Sequence, residues 1–406
     1  MLDESIIGDG MEDYKLYFLV SLSEYDTIIH RKCQEEKMKL RVPDYYEKFN
    51  CIGSACRDSC CVGWEIGVDE EAYEKYSRLK GEFGDRLMNC ISSKRPYHFI
   101  MEEDRCPFLN EQNLCDIFIH MGKEFLCQIC ADHPRFYEFY GNCREAGLGL
   151  VCEEAARLIL TNKQKVQFLD RVLDENEEEE NPWLQPLFSA RDCVIRILQD
   201  RNRSLGSRLK QVLSVSPVLQ EDYIRRDRKA MYLHIHKRET KDKIREQPAD
   251  LREWYTECSG FLLELEILTP EWKQQLTKTA AKVQKGTSCF LGCDEIFYEQ
   301  LMIYFVYRYF MKSLYDFQLL DKIKFAVFGC LCVRGIEAAG ADEGELSSAE
   351  IARLYSKEIE YSEENMEMVS EELLFSELFD TQRLSDIASA VFESSSPSAV
   401  TGVIYE

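Results

Sequence analysis

What the sequence lacks narrows it first. No basic stretch leads into an apolar secretory core: Met1-Leu2-Asp3-Glu4 is acidic, and the apolar run at residues 16–20 is too short. No segment is long and apolar enough for a membrane-spanning helix. Positive charge is in deficit, with 50 Lys and Arg against 73 Asp and Glu and a formal net charge of −23. Phosphate backbones repel such a surface, which argues against a nucleic-acid binder, whereas a cationic, lysine-bearing protein would suit it. Internal repeats are absent, and strand-period alternation is scarce. These absences describe a cytoplasmic chain with no membrane partner.

Cysteine is abundant, with 18 residues. In a reducing cytoplasm these are buried thiols, metal ligands or reactive groups rather than disulfides. Eleven lie between Cys51 and Cys152, while Cys33, Cys193, Cys258, Cys289, Cys293, Cys330 and Cys332 scatter over the rest. A cysteine serving only as a small apolar residue follows helical periodicity and does not cluster.

The expected fold is mainly α: a cysteine-rich, metal- or cluster-clasped N-terminal module followed by an all-α helical domain. Residues 1–38 read as an extension, with Met38 as an alternative start. Residues 39–174 form the cysteine-rich domain, the acidic stretch 175–182 a linker, 183–392 the helical domain and 393–406 a loose tail. Within the first domain, Asp69 is an N-cap, Ala72, Tyr73, Tyr76 and Leu79 recur at helical spacing, and Gly81 closes the helix. Leu187, Ala190, Val194, Ile197 and Leu198 mark one apolar face. Nine Lys or Arg residues between positions 225 and 245, with His234 and His236 among them, read as a solvated helical face. Residues 296–333 form a buried apolar stretch, on which Arg308, Lys312 and Asp316 make a polar stripe at four-residue spacing.

The cysteines fall into groups. Cys51, Cys56, Cys60 and Cys61 are spaced C-x4-C-x3-C-C; Cys106 and Cys115 follow, and then the C-x2-C pair Cys127 and Cys130. Thiolates a few residues apart in a tight turn converge on one metal at about 2.3 Å, and Gly53 and Gly63 permit such a turn. Adjacent side chains point apart, so Cys60 and Cys61 serve different sites or different shells. With Cys90, Cys143 and Cys152 set aside, eight sulfurs remain, more than one four-coordinate ion needs. Zinc and an iron–sulfur cluster both accept four thiolates, and both stay open here. Finger, ribbon and bacterial ferredoxin spacings are absent.

These cysteines, with Val42-Pro43-Asp44-Tyr45-Tyr46, Arg105-Cys106-Pro107-Phe108-Leu109, residues 127–135 and the later run from Tyr298 to Phe310, resemble the flagellin lysine-N-methylase family. That family sits within a broader cysteine-rich, zinc- or iron-chelating domain named for a C-x2-C-x2-C-C signature; the first group here is spaced more widely. The resemblance implies methylation of lysine ε-amines on flagellin, S-adenosylmethionine as methyl donor and a [4Fe-4S] cluster, with zinc as the alternative. A non-catalytic metal-binding sensor or chaperone is the competing reading.

No donor-binding fingerprint supports the methyl-transfer chemistry. Gly147-Leu148-Gly149-Leu150 lacks the third glycine of a dinucleotide loop, and the radical-enzyme spacing C-x3-C-x2-C is absent. A lysine amine, with a reference pKa of about 10.4, must lose its proton before it attacks. Asp132, His133, Glu65, Tyr45 and Tyr46 stand beside the cysteines, and Arg135 can pair with a carboxylate. Asp132 and Arg135 are the candidate catalytic residues, because they follow the C-x2-C pair within a turn's reach.

Overall fold

The computed structural model describes residues 39–141, 143–172, 181–237, 249–286, 290, 292–340 and 346–392. The N-terminal extension, the tail, most of the acidic linker, the end of the basic segment, Cys33 and Cys289 therefore lie outside the described residues. The architecture is mainly helical. Among the described residues, no helix is long and apolar enough to cross a membrane.

The N-terminal part departs from the helical expectation. Strands β1 (Lys39–Pro43), β2 (Arg135–Tyr140), β3 (Cys143–Leu148) and β4 (Phe168–Val172) form one sheet in the order β2-β3-β1-β4. β1 runs parallel to β3 and antiparallel to β4, while β2 and β3 are antiparallel. Period-2 alternation misses this sheet for a physical reason: Ala146, Gly147 and Leu148 are buried in succession on β3, because both faces are covered.

Inserted between β1 and β2 are α1 (Glu70–Ser77), α2 (Glu82–Asn89), α3 (Asp116–Met121) and α4 (Gln128–Asp132). They surround a small core of Ile66, Tyr76, Leu87, Phe99, Phe108 and Ile117, into which Cys106 and Cys127 are buried. As expected, the Asp69 side chain caps α1, accepting from Ala72 N at 2.9 Å. The expected end differs. The helix stops at Ser77, and Gly81, at φ 95°, precedes α2 instead of closing α1.

Helix α5 (Glu153–Leu160) joins β3 to β4. Then come α6 (Leu184–Leu198), α7 (Leu205–Ile224), α8 (Arg228–Lys237), α9 (Leu251–Glu264) and α10 (Pro270–Gln284). The chain continues through α11 (Glu295–Tyr309), the short α12 (Ser313–Asp316), α13 (Leu319–Gly340) and α14 (Ser348–Tyr355). A π-helical turn at Ser356–Glu360 leads into α15 (Glu363–Phe375) and α16 (Thr381–Phe392). The sheet shares one apolar core with these helices, so Val42, Ala146 and Leu148 pack in the same cluster as Leu187, Phe305 and Val327.

The polar stripe does not survive on one helix. A 3-10 turn at Phe310–Lys312 separates α11 from α12, and each residue finds its own partner. Arg308 meets Glu360 at 3.3 Å, Lys312 meets Glu138 at 3.0 Å, and Asp316 pairs with Lys322. On α8, the half-buried His234 pairs with Asp222 of α7, at 2.6 Å.

Candidate functional site

The cysteines that sequence grouped by spacing are sorted differently in space. Cys127 is the residue before α4, and one helical turn brings Cys130 back to it, with the two Sγ atoms 3.3 Å apart. Cys115 stands before α3, where the backbone N–H groups of Phe118 and Ile117 lie toward its sulfur without closing a cap hydrogen bond. N–H groups so placed favour the thiolate. Cys106 N donates to Cys61 O at 2.9 Å, which ties the first cysteine loop to the second. Cys61, Cys106, Cys115, Cys127 and Cys130 lie within electrostatic range of one another.

Burial pushes the Cys106 thiol up to about 12 and raises that of Cys115. Its contact with Cys127, followed by burial, raises Cys130 well above the usual thiol range. Cys61 is the exception. Donation from Cys60, helped by Ser59 and the Arg105 charge, lowers it to about 7. A bound cation would favour the thiolate form of all five.

Cys51, Cys56 and Cys60 take the other side of the vicinal pair. Cys51 Sγ accepts from Gly53 N at 3.4 Å. Cys56 Sγ lies 3.7 Å from Glu153 Oε2 and, by burial, rises to about 11. Their electrostatic neighbour is Cys152, the N-cap of α5, which sequence reasoning had set aside. Burial raises its thiol, while the nearby N–H groups of Ala155 and Glu154 work the other way. Among the described residues, no three His, Cys, Asp or Glu side chains are placed at metal-holding spacing. The inner five thiols fit a thiolate-held centre by donor type and by the Cys127–Cys130 contact, without closing around an ion.

Of the candidate catalytic residues, Asp132 ends α4 and Arg135 opens β2, and among the described residues they form no ion pair with each other. Asp132 accepts from Gln128 Nε2 and, at 3.4 Å, from Tyr137 OH. Arg135 lies over the rings of Phe49 at 5.1 Å and Tyr46 at 5.7 Å. Burial lowers His133 to about 4, so its ring is neutral at pH 7, and Trp64 stands 6.5 Å away. Tyr45 is buried, and burial raises its hydroxyl far above the usual range.

The Gly147–Gly149 segment is filled. A Cβ on Gly147 would meet the Phe136 ring at 2.3 Å, and one on Gly149 would meet the Tyr361 hydroxyl at 2.3 Å. These glycines admit aromatic rings, not a nucleotide. Beneath them lies a network that sequence reasoning missed. Tyr304 OH accepts from Leu150 N at 3.3 Å and from Arg308 Nη1 at 2.6 Å, and donates to Glu360 at 3.0 Å. Tyr309 OH donates to the same carboxylate at 2.7 Å. Arg308 was visible only as part of the stripe, and nothing in the local sequence marks Glu360.

Fold and site together define a mainly helical protein with a cysteine-rich N-terminal module. Residues 191–386 match the family model described as the FliB lysine N-methylase C-terminal domain. The lysine-N-methylase of Salmonella typhimurium is 26% identical over 170 residues, 38% of this chain and 40% of that protein. That of Salmonella choleraesuis matches to the same extent, at 26% over 170 residues. The flagellar biosynthetic protein FliU of Salmonella muenchen is 29% identical over 128 residues, 30% of this chain and 76% of its own length. Just under half of the chain is thus similar to the C-terminal domain of FliB lysine N-methylases, while the match spans 40% of the length of the first curated relatives. No solved structure matches.

Proposed function

We propose that this chain methylates lysine ε-amines of flagellin in the cytoplasm, with S-adenosylmethionine as donor. The observation that carries the reading is the match of residues 191–386 to a lysine N-methylase domain. In the reaction the neutral amine nitrogen attacks the methyl carbon, the carbon–sulfur bond breaks, S-adenosylhomocysteine leaves and the nitrogen sheds a proton. The protein's task is to strip that proton and to align nitrogen with carbon.

Cys61, Cys106, Cys115, Cys127 and Cys130 are the residues that would hold a [4Fe-4S] cluster, or zinc in its place. Bound there, a cluster would supply one-electron chemistry together with a cross-link between the cysteine loops, and zinc the cross-link alone. Asp132 would accept the amine proton, and Arg135 would pair with the donor's carboxylate after leaving its aromatic neighbours. The filled Gly147–Gly149 segment favours the competing reading, a non-catalytic zinc- or cluster-binding protein.

The test is incubation of anaerobically purified protein with methyl-labelled S-adenosylmethionine and flagellin. Label on lysine is expected. Its absence from protein that retains its metal retires the enzyme reading. Iron and acid-labile sulfide in stoichiometric amounts identify a cluster; colourless protein carrying zinc displaces it.

A further inference from the structure

A cavity of about 320 Å³ opens on the cysteine-rich module, lined by Trp64, Glu65, His98, Ile100, Met101 and Asp104. Its walls are continuous with the thiol loops. Trp64 Nε1 donates to Cys60 O at 2.7 Å, and Gly63 N donates to Asp104 O at 2.8 Å. Asp104 and Glu103 form the tip of a tight turn closed by reciprocal 2.9 Å bonds between Glu102 and Arg105. Both tip residues are left-handed, at φ 60° and 49°. Among the described residues, neither Glu65 nor Asp104 pairs with a lysine or arginine; Glu65 has only His98, at 3.6 Å. The indole and Ile100 remain 38% and 50% exposed beside these carboxylates.

We propose that this cavity receives the lysine side chain of the protein substrate, its stem along Trp64, Ile100 and Met101 and its ammonium at Glu65 and Asp104. The proposal rests on the lysine-methylation reading and adds the place where the amine enters. Lysine suits the lining on three counts. Its four-carbon stem covers apolar surface, its head is attracted to an indole face, and two unneutralised carboxylates complement its charge. The cavity is open to the surface, as a side chain presented by a folded partner requires.

The experiment uses full-length protein purified anaerobically, titrated with flagellin and with lysine-acetylated flagellin in the absence of donor. Acetylation removes the charge from the amine. Tighter binding of unmodified flagellin is expected, together with about tenfold weaker binding by the Glu65→Gln/Asp104→Asn double variant, which then no longer distinguishes the two ligands. Asn tolerates the left-handed backbone at position 104, so the turn persists. Trp64→Leu, which keeps apolar contact and loses the ring, weakens unmodified flagellin alone. The dissociation constant for S-adenosylmethionine stays unchanged in all variants. Wild-type affinity in the double variant, equal affinity of the wild type for both flagellins, or loss of S-adenosylmethionine binding in its stead overturns the assignment. Charge-selective binding without methylation retires the enzyme reading and leaves the cavity's role standing.

Discussion

At the scale of the residue, the environment sets what each group does. Asp321 on α13 is buried, and its Oδ2 has no hydrogen-bond partner. Burial raises its carboxyl from 3.8 to about 6. A folded-state value above the unfolded one means that the fold favours the protonated form. That contribution is complete below about pH 4 and fades as pH rises through 6. Asp321→Asn, neutral throughout, is therefore expected to be more stable than the wild type at pH 7.5, by roughly 1–2 kcal/mol, with the gain vanishing near pH 4. Thermal unfolding at the two pH values checks this, and a gain that grows toward acid refutes it. The thiols make a second case. Cys127→Ser removes one sulfur of the 3.3 Å pair, and Cys61→Ser removes another of the five sulfurs, the one with the lowered thiol. Both are expected to abolish metal retention. Cys193→Ser, on α6 and in contact with Ile235 O at 3.6 Å, keeps it. Equal metal content in all three variants removes the basis for a thiol-held centre.

At the scale of the element, caps and close approaches carry the argument. Asp69 works twice: Oδ1 caps α1 at Ala72 N, and Oδ2 accepts from Gln128 N, the first residue of α4, at 2.7 Å. One side chain thus joins two helices and orients the turn that presents Cys127 and Cys130. Asp69→Ala is expected to cost about 1–2 kcal/mol in denaturant unfolding and to speed metal loss to a chelator. Asp69→Asn, which still caps, should cost less; identical behaviour of the two variants would separate the cap from the effect. On β3, Gly147→Ala drives a methyl group into the far edge of the Phe136 ring, over which Arg308 lies at 4.8 Å. Destabilisation of about 1–3 kcal/mol is expected, whereas Gly67→Ala, with open space around it, changes little. A neutral Gly147→Ala would show that the rings can give way.

At the scale of the whole molecule, the cysteine loop is held from outside its own module. Between Cys56 and Cys60, Arg57 meets Glu350 at 2.6 Å and Glu153 at 3.1 Å, while Asp58 pairs with Arg353 and, at 3.7 Å, with Lys357. Glu350 and Arg353 belong to α14, and Lys357 to the π-helical turn, both within the family-matched domain. The turn also delivers Glu360 to Tyr304 and Tyr309, and π-helical turns recur at functional sites. Arg353→Ala with Lys357→Ala should free the loop, seen as faster proteolysis after Arg57 and weaker metal retention with the helical core intact. High salt should reproduce part of the effect, because Arg57 is largely exposed and its pairs are screened. A loop that stays protected in the double variant would locate its rigidity within the module.

The sequence by itself determined what short range controls. Helical periodicity marked α6 and the buried α11 and α13, the Asp69 cap marked α1, and the crowding of thiols marked the N-terminal half, since all of these repeat within a few residues. Tertiary structure decided the rest. It drew β1 beside β3 and β4 across more than a hundred residues and buried both faces, which erased the alternation that would have announced the sheet. It joined the Cys60 and Cys61 thiols by a hydrogen bond and supplied Cys152 from the start of α5. It set Glu360 under Tyr304 and closed the glycine segment with Phe136 and Tyr361. Burial, charge pairing and steric fit at these places come from partners distant in the chain, and no local pattern of residue types encodes which partner arrives.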